Sequence, residues 1–163
     1  MAYVYVGIGS NRERDHNIRS VLSVLKTHFN ELTVSSVYES ESVGFEGDAF
    51  YNLVVGFETP LSVGELSSLL KMIEDQHGRV RTQQHAFCNR TLDIDILLVD
   101  DVVGVVDNIE LPRAEITENA FVLWPLAEIA GELFHPVLNK TFAQLWNDYD
   151  KRKQKLKAIE FND

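Results

Sequence analysis

The sequence predicts an α+β fold, an antiparallel sheet carrying two helices, and three features predict it. Apolar residues follow helical spacing at Ile18, Val21, Leu22, Leu25 and Phe29, and again at Leu66, Leu69, Leu70 and Ile73. Runs rich in Val, Ile, Tyr and Phe flank both stretches in the manner of strands. The order through Val99 is then β-α-β-β-α-β, the ferredoxin-like arrangement, with both helices on one face of the sheet.

Residues 2–8 read as the first strand, ending at Gly7-Ile8-Gly9-Ser10-Asn11. Asp15 is the expected N-cap of the first helix. Leu32 to Glu39 follows as a strand with Leu32, Val34 and Tyr38 on one face, then a loop over Ser40 to Asp48 and a strand over Phe50 to Glu58. Ser62-Val63-Gly64-Glu65 is a capping box, opening a helix that should stop at Gly78. A loop carries Arg79 through Arg90, and Thr91 to Val99 is the clearest strand in the chain. Asp100-Asp101 should turn that strand back into Val102 to Val106 as an added hairpin. A helix is expected over Thr117 to Ala130, kinked or divided at Pro125. Thr141 and Gln144 form a second capping box before a C-terminal helix, and the basic end, 150–163, reads as helix or tail.

At 163 residues, 45% hydrophobic and 25% charged, the chain suits one globular domain over 1–163. No apolar run approaches the ~20 residues of a membrane span, and the first residues lack a basic leader, so a cytoplasmic protein without membrane contact is expected. The single Cys88 forms no internal disulfide, and no Cys/His cluster suggests zinc. Of the net charge of −10, residues 150–163 hold five Lys/Arg and three acids. The other 149 residues hold ten basic against twenty-two acidic side chains, a body that repels nucleic-acid backbones. Against that background Arg79, Arg81 and Arg90 cluster within twelve positions, either as an anion site or as a solvated charged loop.

Arg90-Thr91-Leu92-Asp93-Ile94-Asp95-Ile96-Leu97-Leu98 is the most informative stretch. In a strand Asp93 and Asp95 share a face, ~6.5–7 Å apart at Cα, while Leu92, Ile94, Ile96 and Leu98 face the core. Two such carboxylates repel each other unless a cation compensates, and Mg²⁺ suits them, with water and phosphate oxygens completing its shell. The bland alternative is a polar strand face turned to water. Guanidinium groups for phosphate beside carboxylates for metal is what nucleoside triphosphate chemistry requires.

Six pieces of the sequence, in order, resemble the 6-hydroxymethyl-7,8-dihydropterin pyrophosphokinase family of folate biosynthesis over nearly the whole chain. They are Gly7-Ile8-Gly9-Ser10-Asn11, Thr33-Val34-Ser35-Ser36-Val37-Tyr38, Phe50-Tyr51-Asn52-Leu53, Gly78-Arg79-Val80-Arg81, Arg90-Thr91-Leu92-Asp93-Ile94-Asp95 and Phe121-Val122-Leu123-Trp124-Pro125-Leu126. The resemblance implies an α+β fold with a ferredoxin-like core. It implies attack of the pterin hydroxymethyl oxygen on the β-phosphorus of ATP, with AMP leaving. Asp93 and Asp95 would hold two Mg²⁺ ions. Arg79, Arg81 and Arg90 would bind phosphates and stabilise the transition state. Glu74 and Ile96 would lie near the nucleotide, Asn52 would hydrogen-bond the pterin ring, and Phe121 would stack on it. Alone, Asn52 and Phe121 would read as core residues. The segments 40–48 and 83–89 match two mobile loops that close over the substrates. A monomer is expected, with pterin and ATP as its partners.

Departures from the family pattern gather on the nucleotide side. After Leu111-Pro112 the family usually has a His, often a Tyr next, and an Arg two residues before the Phe of F-x-L-W-P-L. Here these are Arg113, Ala114 and Asn119. Arg113 is therefore the candidate ATP ligand in place of the His. The Trp-Gly-Pro-Arg of the catalytic loop reads Phe87-Cys88-Asn89-Arg90, and Thr-Pro-Pro-Leu-Gly on the pterin side reads Ser40-Glu41-Ser42-Val43-Gly44. Val43 and Phe50, the latter in place of the usual Tyr, complete the candidate pterin set. Two readings follow: a transferase that grips ATP differently, or a pterin-binding relative whose transfer activity has weakened.

Overall fold

The computed structural model describes residues 1–40, 49–77 and 92–161. Five strands form one antiparallel path, β5 (Asp93–Val99), β1 (Ala2–Ser10), β4 (Phe50–Thr59), β3 (Val37–Ser40) and β8 (Leu156–Ile159), with the two-residue β2 (Thr33–Val34) also on β4. Helices α1 (Arg14–Phe29) and α2 (Val63–Gln76) cover one face of it, α1 against β1 and β4 and α2 against β5. The predicted β-α-β-β-α-β core is present.

Strand alternation divides β1 between two apolar layers. Val4, Val6 and Ile8 join Ile18, Leu25, Leu66 and Ile73 beneath α1 and α2. Tyr5 turns the other way, with Val54 and Leu97, toward α4 (Ala120–Ala130) and α5 (Phe142–Asp148). The sheet is thus covered on both faces. Burying a large apolar side chain contributes about 1.5–3 kcal/mol, so each layer anchors the sheet, and Phe29 stacks on Phe57 at 4.1 Å in the first.

Several sequence expectations are corrected. The first helix begins at Arg14, with Glu13 in the left-handed region at φ 45° and no side-chain cap; Asp15 sits inside the first turn, where its charge meets the helix dipole. The strand expected over 32–39 breaks at Ser35-Ser36, because the Ser35 hydroxyl accepts the Val54 amide. The break changes side-chain parity, so Val37 joins Val34 in the first layer while the Tyr38 ring lies 4.6 Å from Trp124 on the opposite face. Leu98 likewise joins the second layer, because the β1–β5 register shifts between Tyr5 and Val6.

Asp100-Asp101 does turn the chain, but residues 102–106 do not return along β5. Instead β6 (Gly104–Val106) pairs with β7 (Ile109–Leu111) across Asp107-Asn108, whose φ values of 50° and 69° suit a two-residue hairpin turn. The helical stretch divides at Asn119 and not at Pro125: α3 (Glu115–Glu118) ends there in extended backbone, and Pro125 lies within α4. Both capping boxes form as expected. The basic end is neither helix nor free tail. It becomes edge strand β8, where Lys157 Nζ stands 3.6 Å from Glu39 on β3. The expected stop at Gly78 and the loop over 79–90 lie outside the described residues, as does the loop expected over 40–48 except for Ser40, which ends β3 by pairing with Phe50. Among the described residues no helix is long and apolar enough to cross a membrane.

Candidate active site

Asp93 and Asp95 lie on one face of β5, and their neighbours across the sheet are Gly9 and Gly7 of β1. Gly9 in turn faces Asn52 on β4, so Asp93, Gly9 and Asn52 form one cross-sheet row. The absence of side chains at Gly7 and Gly9 opens the floor of a cavity: a Cβ on Gly9 would stand 3.2 Å from Asn52 Oδ1 and 3.7 Å from the Phe50 ring. The cavity holds about 690 Å³, enough for a small-molecule site.

Eight of the predicted residues line this one space: Phe50, Asn52, Glu74, Asp93, Asp95, Ile96, Arg113 and Phe121. They come from β4, α2, β5, the turn after β7 and the first turn of α4, so the fold collects residues spread over most of the chain. Arg79, Arg81, Arg90 and Val43 lie outside the described residues. Asn52 is buried and its Nδ2 donates to Ser40 Oγ at 2.8 Å, an arrangement that fixes the orientation of the carboxamide. Glu74 is also buried, and its carboxylate accepts the Ile94 amide at 2.7 Å, tying α2 to β5 between the two aspartates.

Arg113 stands at the acidic side of the cavity. Its Nη2 lies 3.7 Å from Asp95 Oδ1 and its Nε donates to Glu115 Oε1 at 2.9 Å. The backbone places it there, since the Arg113 amide donates to the Leu97 carbonyl on the outer edge of β5. Burial pushes the Asp95 carboxyl above the usual range; Arg113 draws it down, while Asp93, Glu115 and Glu74 add to the rise. That balance describes a carboxylate poorly compensated by its own protein.

The donor set fits a hard divalent cation. Two carboxylates on one strand face, opposite glycines that leave the approach open, supply what Mg²⁺ takes from a protein before water and phosphate oxygens fill its shell. Among the described residues no group of three or more His, Cys, Asp or Glu is arranged to hold a metal by itself.

Asn119 stands where the family pattern has an Arg. Its Oδ1 accepts from Gln154 Nε2 at 2.8 Å, so the carboxamide serves the C-terminal segment. The sequence reading also missed Lys71, Ser67 and Glu115. Lys71 lies three residues before Glu74 on α2, and that i, i+3 spacing was a usable signal.

A ferredoxin-like sheet whose cleft joins a carboxylate pair to a guanidinium and an aromatic recess has the parts that phosphoryl-transfer chemistry uses. Residues 5–131 match the family described as 7,8-dihydro-6-hydroxymethylpterin-pyrophosphokinase (HPPK), and the chain belongs to that family. It is 34% identical over 142 residues to the 2-amino-4-hydroxy-6-hydroxymethyldihydropteridine pyrophosphokinase of Aquifex aeolicus, covering 86% of this chain and 88% of that protein. The Bacillus subtilis protein of the same name is 35% identical over 133 residues, 79% of this chain and 78% of its own length. The folic acid synthesis protein FOL1 of Dictyostelium discoideum is 34% identical over 140 residues, yet this chain spans only 21% of it. In fold, the crystal structure of wild-type Plasmodium falciparum HPPK-DHPS with pteroate gives a TM-score of 0.70 at 18% identity, over 93% of this chain and 43% of that one.

Proposed function

We propose that this chain transfers the pyrophosphoryl group of ATP to the hydroxymethyl oxygen of 6-hydroxymethyl-7,8-dihydropterin, releasing AMP, and that it does so in the cavity over Asp93 and Asp95. The observation that carries this reading is the cross-sheet row: Asn52, at the recess for a flat heterocycle, and Asp93, at the place for a metal-bound phosphate, share one floor across Gly9.

In this reading the pterin ring lies against Phe121, with Phe50 beside it, its polar edge meets the Asn52 carboxamide, and Val43 is a further pterin-binding residue. A carboxamide held by Ser40 loses little freedom on binding, which favours an ordered edge contact. Glu74 and Ile96 border the nucleotide, and Arg113 offers its guanidinium to the phosphates. Arg79, Arg81 and Arg90 supply the further positive charge that a triphosphate requires. Asp93 and Asp95 would hold Mg²⁺, two ions in this reading, and the metal would supply charge neutralisation for the phosphates. The new bond joins the pterin oxygen to the β-phosphorus, the bond from that phosphorus to the α,β-bridging oxygen breaks, and the hydroxyl proton leaves to solvent. The protein's part is positioning and charge stabilisation. The same reading has it act as a cytoplasmic monomer.

Product identity tests this. With ATP, Mg²⁺ and the reduced hydroxymethyl pterin, AMP is expected to appear only when all three are present. Saturable pterin binding without AMP would replace the transferase with a pterin-binding relative.

A further inference from the structure

We propose that Gln154 is a positioning residue for pterin binding, holding the first turn of α4 and with it Phe121. Asn119 occupies the N-cap position of α4, but its side chain makes no capping hydrogen bond. The cap comes from 34 residues away: the Ala120 amide donates to Gln154 Oε1 at 2.8 Å, and Gln154 Nε2 donates to Asn119 Oδ1 at 2.8 Å. One carboxamide thereby satisfies a helix-end donor and locks the residue before it, using its oxygen for the first and its amide nitrogen for the second. Tyr149 adds a third tie, its hydroxyl donating to the Glu118 carbonyl at 2.9 Å. All three contacts fall on the break between α3 and α4, beside the bonds that the Asn119 amide donates to the Glu115 carbonyl at 3.0 Å and that the Asn119 carbonyl accepts from the Leu123 amide at 3.0 Å.

Phe121 is the next residue and lines the cavity. A helix end that loses its cap frays through its first turn, so the ring would lose its fixed attitude toward the ligand. Residues 149–161 lie beyond the stretch that matches the family, residues 5–131, so this device belongs to the part of the chain that carries β8. Strand β8 anchors it, since Leu156 pairs with Ser40, whose hydroxyl holds Asn52. The C-terminal segment therefore braces both sides of the recess.

The inference rests on the reading of Phe121 as the pterin-stacking residue, and three variants separate the two. Calorimetry with the hydroxymethyl pterin and, separately, a non-hydrolysable ATP analogue is run on Gln154→Ala, Gln154→Glu and Phe121→Ala. Gln154→Ala should weaken pterin binding by about three- to tenfold, the size of a removed hydrogen bond, with analogue affinity within about twofold of the parent. Gln154→Glu should bind pterin like the parent, because a carboxylate accepts from Ala120 and from an Asn119 carboxamide rotated to present its Nδ2. Equal weakening of both ligands, or a silent Gln154→Ala beside a weakened Phe121→Ala, would overturn the positioning role. A silent Phe121→Ala would remove the stacking reading and this inference with it.

Discussion

The Arg113 guanidinium stands 3.7 Å from Asp95 and 2.9 Å from Glu115, so the cation beside the proposed metal face is shared between two acids. With side chains about a third to a half exposed, each pair contributes about 1 kcal/mol at most. That is small beside the attraction of a triphosphate, so under the proposed function the guanidinium would exchange carboxylate for phosphate when ATP binds.

Arg113→Ala is accordingly expected to lose about ten- to hundredfold in affinity for a non-hydrolysable ATP analogue, with pterin affinity unchanged. Calorimetry of both ligands checks it. A silent variant would confine Arg113 to its contacts with Asp95 and Glu115.

Asp95→Asn should cut turnover by at least about 10³, or ~4 kcal/mol of barrier, while the protein still folds. Because burial raises the Asp95 carboxyl, its charged form is disfavoured in the fold, and that penalty grows as pH rises through the raised value. Without metal at neutral pH the variant should melt at or above the parent temperature, the difference shrinking in acid. Near-parent turnover would take Asp95 out of the chemistry.

Gly9→Ala tests the floor of the recess. The added methyl would meet Asn52 Oδ1 at 3.2 Å, on the side where the pterin edge is placed. We expect pterin affinity to fall by about tenfold and ATP-analogue affinity to hold, since one displaced polar contact is worth about 1 kcal/mol or slightly more. Equal pterin binding in parent and variant would move the ring away from Asn52.

His135 supplies a pH dependence remote from the site. Its buried Nδ1 accepts the Val137 and Leu138 amides at 3.1 and 3.2 Å, and burial holds its pKa below the usual value of 6.5. The neutral ring's contribution is complete above that value and is lost as pH falls below it, because the unfolded chain then takes up a proton that the fold refuses. Melting temperature should drop between about pH 7 and about pH 5.5, and His135→Asn, which keeps an acceptor but does not titrate, should flatten the drop. Parallel profiles would clear His135 of the effect.

The core order and the shared face of Asp93 and Asp95 were legible because period-two and period-3.6 patterns are local. Long-range pairings were not. Nothing in Leu156-Lys157-Ala158-Ile159 distinguishes an edge strand from a tail until β3 is there to pair with it. The division at Asn119 was hidden because Pro125 is the stronger local breaker, whereas the break is held by Gln154 from a distant turn. Asp100-Asp101 and Asp107-Asn108 are turn signals of similar local strength, and only the second closes a hairpin. Arg113 was found by its place in a motif; its partner Glu115 required the structure.

The most direct test of the central claim is phosphorus NMR of a single mixture of protein, ATP, Mg²⁺ and 6-hydroxymethyl-7,8-dihydropterin. The account predicts AMP and a pterin diphosphate ester rising together in equal amounts, with neither forming when Asp95→Asn replaces the parent. ADP with a pterin monophosphate, or AMP with free pyrophosphate and unchanged pterin, would contradict it.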